Sequence, residues 1–235
     1  MQLVGSKVIH KLFGSGVITE YTGRYMTVSF AAGDKKFVYP EAFRTSMRAA
    51  DPRLSLAIQQ VLCHDRPCNA SLQYFLVFQN QTFRQEADGG YLWAPKANAT
   101  GHTISHWKLL QSVRPGDIIF HSVTKQIAAI SIASGYCYSA KLPEELRHQK
   151  PWTDEGWRLD VQYIFCPHPI RTSDYMDTLR SLQPLKHGPF NVRGRDNSGY
   201  LFLSNQELSR FLFERLVRLN PELQSYAAIL GLEEL

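Results

Sequence analysis

Between residues 6 and 43 the chain repeats one pattern four times: a short run of β-branched, aromatic and polar residues, then a turn. The runs are KVIH, GVITEY, YMTVSF and KKFVYP, separated by Gly14-Ser15-Gly16, Thr22-Gly23 and Ala32-Gly33-Asp34. Runs this short suit strands rather than helices, and glycine supplies the positive φ that tight turns require. Consecutive strands on tight turns form an antiparallel sheet that curls on itself. Residues 1–50 are therefore expected to form a small all-β barrel of their own.

The pattern then changes. Asp51-Pro52 is a helix start, with Asp as N-cap and Pro at the first helical position, and Leu54, Ile58, Val61 and Leu62 follow at helical spacing. Arg66-Pro67 ends this segment, so residues 51–68 read as a connecting helix and linker. Residues 69–235 form the second module. Strand-like runs recur there at YFLVF (74–78), DIIFHSV (117–123), IAAISIASGYCYSA (127–140) and RLDVQYIF (158–165). Between them lie a turn-rich stretch around Trp93-Ala94-Pro95, a short helix carrying His106 and Trp107, and the turn Arg114-Pro115-Gly116-Asp117. Ser173 to Leu182 and Gln206 to Leu219 read as helices. Mixed strands with peripheral helices make the expected class α+β, a mixed β-barrel preceded by the smaller all-β one. No internal repeat or low-complexity tract interrupts this order.

Composition narrows the function. No apolar run approaches the roughly 18 to 20 residues of a membrane-spanning helix, and the start MQLVGSKVIHKLF lacks a signal-peptide pattern, so a cytoplasmic protein without membrane contact is expected. The net charge of +5 favours polyanionic partners. It is unevenly spread: residues 1–50 hold seven basic against three acidic side chains, whereas residues 201–235 hold three against five. Any phosphate-attracting field belongs to the front of the chain.

Catalytic signatures are missing. There is no P-loop, no G-x-G-x-x-G after a strand, no G-x-S-x-G and no H-E-x-x-H. Cys63, Cys68, Cys137 and Cys166 are too scattered for a disulfide scaffold, and Cys63, His64 and Cys68 lack a second ligand pair at zinc-finger spacing. The eight histidines form no metal-ligand spacing. The expectation is a binding protein with no cofactor, no metal and no catalytic residues. Sites assembled in space leave no such signature, so a nuclease remains open.

Two stretches resemble known families. KVIHKLFGSGVITEYTGRYMTVSFAAGDKKFVYPEAF resembles SH3-like or Tudor-like barrels of the kind found in CarD-type proteins, in its Phe-Gly-x-Gly turn and closing Tyr-Pro. About residues 70–220 resemble the PUA-like superfamily, especially its EVE branch and more distantly the YTH branch. Three segments in order carry this: YLWAPKANATGHTISHWKLLQSVRPGDIIFHSV, then KQIAAISIASGYCYSA with KPWTDEGWRLDVQYI, then KHGPFNVRGRDNSGYLFLSNQEL. The resemblance implies a pocket that holds a base out of its stack among aromatic rings. EVE domains are associated with modified cytosine and modification-dependent restriction, YTH domains with methylated adenine in RNA.

Physics independent of any family asks the same of such a pocket. A flipped base offers a flat π-face and a polar edge, so rings must stack on it and a few fixed polar groups must meet its edge. The candidate rings are Trp93, Trp152 and Trp157, with Phe120 and His121 beside them on one strand. Trp107, just before Leu109-Leu110, reads as core. Ser131, between Ile130 and Ile132, either bonds a base edge or lies on a solvent face, and His121 either lines the site or is a satisfied partly buried histidine. Arg193, Arg195 and Asn197 flank or occupy the loop Gly194 to Gly199, which suits phosphate or base contacts but equally a solvated surface. Lys7, Lys11, Lys35 and Lys36 are candidates for phosphate contacts in the first module. Together these imply a non-enzymatic reader of a modified base in DNA, modified cytosine first, that flips the base and directs a partner nuclease within a restriction or defence system. Two alternatives stay open: a reader of methylated adenine in RNA, and a protein-interaction scaffold working through the first barrel.

Overall fold

A computed structural model of the chain describes residues 3–51, 72–98, 100–147, 153–191 and 196–232, together with residues 54, 57, 58, 61 and 193. The chain divides into two compact units, Met1–Ala70 and Ser71–Leu235.

In the first unit the four runs are strands: β1 (Lys7–His10), β2 (Gly14–Tyr21), β3 (Tyr25–Phe30) and β4 (Gly33–Val38). A short helix, α1 (Ala42–Thr45), then leads to a fifth strand, β5 (Met47–Ala49), which pairs with β1, and the ladder order is β4-β3-β2-β1-β5. Alternation sends Val8, Ile18, Met26, Val28 and Phe30 inward, where Leu54 and Ile58 join them in one core. Leu54, Ala57, Ile58 and Val61 are helical, while Pro52, Leu62, Cys63, His64, Arg66, Pro67 and Cys68 of the expected connecting segment lie outside the described residues. Gly16 is required by packing: a Cβ there would stand 2.6 Å from the Phe30 ring.

The second unit is an α+β structure, as the sequence implied. Its sheet runs β10-β11-β9-β8-β6-β12, from β6 (Tyr74–Phe78), β8 (Ile118–Val123), β9 (Gln126–Ala133), β10 (Tyr138–Lys141), β11 (Glu155–Arg171) and β12 (Leu201–Ser204). The pair β6–β8 is parallel and the other ladders are antiparallel. The turn before β8 is fixed by Asp117, whose carboxylate accepts the main-chain N–H of Gln73 at 3.1 Å and of Arg114 at 2.8 Å.

Several elements differ from the sequence reading. The stretch around Trp93, expected as a loop, is a strand, β7 (Tyr91–Pro95), paired with β11. Pairing to a buried neighbour overrides its turn-like composition, and Pro95 falls at the strand end, where no interior ladder bond is lost. The run 127–140 breaks at Ser134-Gly135 into β9 and β10. Helix α2 (Phe83–Gly89) went unread because seven residues are too few to display a helical period, although Gly90, at φ 68°, closes it with main-chain bonds to Glu86 and Ala87. Helix α3 (Ser105–Lys108) carries Trp107. Residues 173–182 form a 3-10 turn followed by helix α4 (Met176–Leu182).

Helix α5 (Gln206–Leu219) buries Leu208, Leu212, Phe213 and Leu216 along one face, each worth about 1.5–3 kcal/mol of burial. Asn205 caps it by accepting the Leu208 N–H at 2.8 Å, and its own amide donates to Leu182 O at 2.7 Å, tying α5 to the end of α4. At the far end Asn220 bonds both main-chain groups of His168 on β11. No described helix is long and apolar enough to cross a membrane.

Candidate functional site

A cavity of about 390 Å³ opens in the second unit between the turn after β6, helix α2, strand β7, helix α3 and the loop before β12. Phe78, Trp107 and Tyr200 supply rings, Ala94 and Pro95 an apolar edge, and Asp196 to Gly199 a polar rim. The floor is Gln79, Thr82 and Glu86.

That floor continues inward as a chain of buried polar groups. Glu86, 1% exposed, accepts hydrogen bonds from the Gln79 amide and from the Tyr200 hydroxyl, the latter at 3.1 Å to Oε2. Gln79 Oε1 lies 2.5 Å from His121 Nδ1, and His121 Nε2 lies 2.7 Å from Ser131 Oγ. Burial holds His121 down to about 3, so its ring is neutral and carries one proton. Gln79 Oε1 can only accept, which assigns that proton to Nδ1 and leaves Nε2 to accept from the Ser131 hydroxyl. The Gln79 amide is thereby turned with its Nε2 toward Glu86. Burial pushes the Glu86 carboxyl well above the usual range, against the lowering effect of bonds from Tyr200, the Trp93 main chain and Thr82. The Tyr200 hydroxyl is likewise pushed up by burial and then by Glu86. Tyr163 packs its ring 4.6 Å from His121 and closes the far side.

The rim is held by side chains standing in for strand bonds. Gln183 donates to Phe190 O at 3.0 Å and accepts from Phe190 N at 2.9 Å, and the Asn197 amide donates to Gly188 O at 2.7 Å. Gly199 permits the close approach on which the rim depends, since a Cβ there would stand 2.4 Å from the Phe202 ring. The Asp196 carboxyl is raised by its burial.

The structure brings some candidate residues together and separates others. Asn197 lines the cavity, and His121 and Ser131 stand behind its floor. Ser131 is fully buried, which removes the solvent-face alternative. Trp93 borders the cavity, but its ring is 1% exposed and clusters with Tyr91, Leu142 and Leu146, on the strand face opposite Leu92 and Ala94. It lies so close over Gly156 that a Cβ there would come within 2.2 Å of the indole. Phe120 alternates with His121 along β8 and is fully buried away from the cavity lining. Trp157 is half-buried on β11 with Lys96 4.9 Å over its ring, and it is not among the lining residues. Arg193 is exposed. Trp152 and Arg195 lie outside the described residues.

In the first unit Lys7, Lys11, Lys35 and Lys36 are all exposed. Lys35 and Lys36 are successive in β4 and so face opposite ways, Lys35 over Phe13 at 5.7 Å and Lys36 over Tyr25 at 4.9 Å. They do not share one patch.

The sequence reading missed Gln79, Glu86, Trp107 as a cavity ring, and Tyr200. An acidic residue flanked by Phe83, Ala87 and the glycine pair 89–90 was the one signal available for Glu86. Among the described residues no cluster of three or more His, Cys, Asp or Glu could hold a metal.

No family model and no curated protein matches the sequence. Among solved structures, human THYN1 in complex with 5-methylcytosine containing DNA is 14% identical, with 61% of this chain and 97% of that one covered at a TM-score of 0.40. The YTH domain of Zygosaccharomyces rouxii MRB1 in complex with N6-methyladenosine RNA is 12% identical, covering 64% and 92% at 0.38. Rpa0253 from Rhodopseudomonas palustris is 13% identical, covering 70% and 97% at 0.36. Each of these is a weak likeness in fold. The chemistry below rests on this chain's own cavity.

Proposed function

We propose that the second unit reads a modified base in nucleic acid, taking the base out of its stack into the cavity above Glu86. The observation that carries this reading is the pairing of ring-bearing walls with a buried polar floor. Volume fits: about 390 Å³ lies within the roughly 300–1,000 Å³ of small-ligand pockets. The walls fit a π-face, since Trp107 and Tyr200 can stack on a base, at about 1–3 kcal/mol per base, which offsets the few kcal/mol lost on unstacking. The floor fits a polar edge, and burial shifts its acid toward the neutral form.

Within this reading the substrate is DNA carrying a modified cytosine. Exposed basic side chains, Arg193 in the second unit and lysines on one face of the first, add sequence-independent phosphate contacts. Any cleavage would belong to a partner nuclease in a restriction or defence system.

Equilibrium binding should be measured to duplex and single-stranded oligonucleotides carrying 5-methylcytosine, N6-methyladenine or no modification, at one fixed salt concentration. The reading expects at least about tenfold preference for the cytosine-modified duplex, or about 1.4 kcal/mol. Preference for methylated adenine in RNA would keep the base-reading cavity and change its substrate. Equal affinity for every oligonucleotide would sink the reading.

A further inference from the structure

Strands β8 and β9 are joined by two residues, Thr124 and Lys125, between the paired positions Val123 and Gln126. Both have positive φ, 50° for Thr124 and 63° for Lys125, which makes the connection a type I′ turn. Asn-Gly is the pair that adopts this turn without strain, and a β-branched residue is strained there. A turn that keeps Thr and Lys instead holds two side chains where their backbone is costly. Strain of this kind persists where function needs the residue and the surroundings enforce its conformation.

The enforcing contacts come from the cavity and from the end of β11. Asn80, which lines the cavity, accepts the Thr124 N–H on Oδ1 at 2.8 Å. Lys125 O accepts the N–H of Thr172 at 3.0 Å and its hydroxyl at 3.1 Å, and Thr172 is itself buried. The main chain of the turn is thus pinned from both sides, while the Lys125 side chain stays exposed. Among the described residues no ion pair engages it. The Asp196 carboxyl on the rim feels its charge, which opposes the upward push of burial there. Asn80 and Asp196 both belong to the cavity lining, so Lys125 stands at the mouth. The lining itself includes no Lys, Arg or His among the described residues.

A nucleotide whose base enters the cavity leaves its sugar and phosphates outside, at that mouth. A lysine ammonium is a compact charge with three donors, suited to a phosphate oxygen. We infer that Lys125 is a phosphate-binding residue, gripping the nucleic-acid backbone beside the extruded nucleotide from a strained turn held at the mouth of the cavity. This rests on the reading of the cavity as a base pocket and deepens it, adding a backbone contact that a lining without cations cannot make. Such a contact carries no base identity, so it supports modified and unmodified sequences alike.

The test measures the affinity of the full chain, of Lys125→Gln and of Lys125→Arg for a duplex carrying 5-methylcytosine and for the same duplex unmodified, across a salt series. Lys125→Gln should weaken both duplexes alike, by about threefold or more at low salt, and should reduce the salt slope by about 0.9, the share of one phosphate. Lys125→Arg keeps the charge and should hold both affinities within about twofold. Thr124→Asn combined with Lys125→Gly should melt higher than the wild type, because the turn is then unstrained, and should lose as much affinity as Lys125→Gln. Unchanged affinity and slope in Lys125→Gln, a loss confined to the modified duplex, or a double variant that melts no higher than the wild type would each overturn the inference. A wild type that binds both duplexes equally removes the base reading, and the slope of Lys125→Gln then still decides the phosphate contact. A wild type with no affinity for either duplex removes both.

Discussion

The two buried ionisable groups behind the cavity should bend the protein's stability with pH in opposite directions. His121 is fully buried and held down to about 3, against 6.5 for a free imidazole. Between those values the unfolded chain binds a proton that the folded chain does not, so stability is lost as pH falls. The slope is one proton, about 1.4 kcal/mol per pH unit, or about 5 kcal/mol across the window. Glu86 acts the other way. Its folded carboxyl keeps a proton that the unfolded one releases above 4.5, so its contribution is complete below that pH and is lost as pH rises toward the folded value. Above 4.5 the Glu86 slope opposes that of His121. Urea unfolding of the wild type from pH 4 to 9 should therefore show a free energy that falls toward the acid end through His121, with Glu86 opposing that slope above 4.5. Glu86→Gln should remove the opposing slope and leave the acid fall of His121 steeper above 4.5 than in the wild type. A variant whose stability follows the wild-type pH dependence throughout would refute the assignment of that opposing slope to Glu86.

Trp107→Ala should leave most of the stability in place, because the ring is half-buried, but cost about tenfold to a hundredfold in affinity for the modified duplex; binding and thermal unfolding measured together decide it. Trp93→Ala should instead destabilise by about 3–5 kcal/mol, and Gly156→Ala by about 1–3 kcal/mol through displacement of the same ring; a normal melting temperature in Trp93→Ala would contradict its burial. Replacing Lys7, Lys11, Lys35 and Lys36 with Gln should flatten the dependence of affinity on salt, because each phosphate contact contributes about −0.9 to the slope. An unchanged slope would show that these lysines do not touch the backbone. Asn205→Ala should cost about 1 kcal/mol in urea unfolding, from loss of the α5 cap, with no change in binding preference.

Sequence alone determined those parts of the protein whose signals are local. The four strands of the first unit were legible because β-forming runs and glycine turns alternate within a few residues of each other. Helix α5 was legible because Leu208, Leu212 and Leu216 repeat at the helical period, and the turn into β8 because proline, glycine and aspartate stand together at 115–117. Strand β7 was not, because pairing with β11 and not its own composition makes Trp93 extended and buried. The cavity floor was decided wholly by tertiary structure. Gln79, Glu86, His121, Ser131 and Tyr200 come from five separate places in the chain, and the Tyr200–Glu86 bond spans 114 positions. Each is unremarkable in its own segment, since a hydrogen bond between side chains depends on their distance in space and leaves no period in the sequence. Burial that raises one carboxyl and holds one imidazole neutral exists only once the sheet and α2 have closed around them.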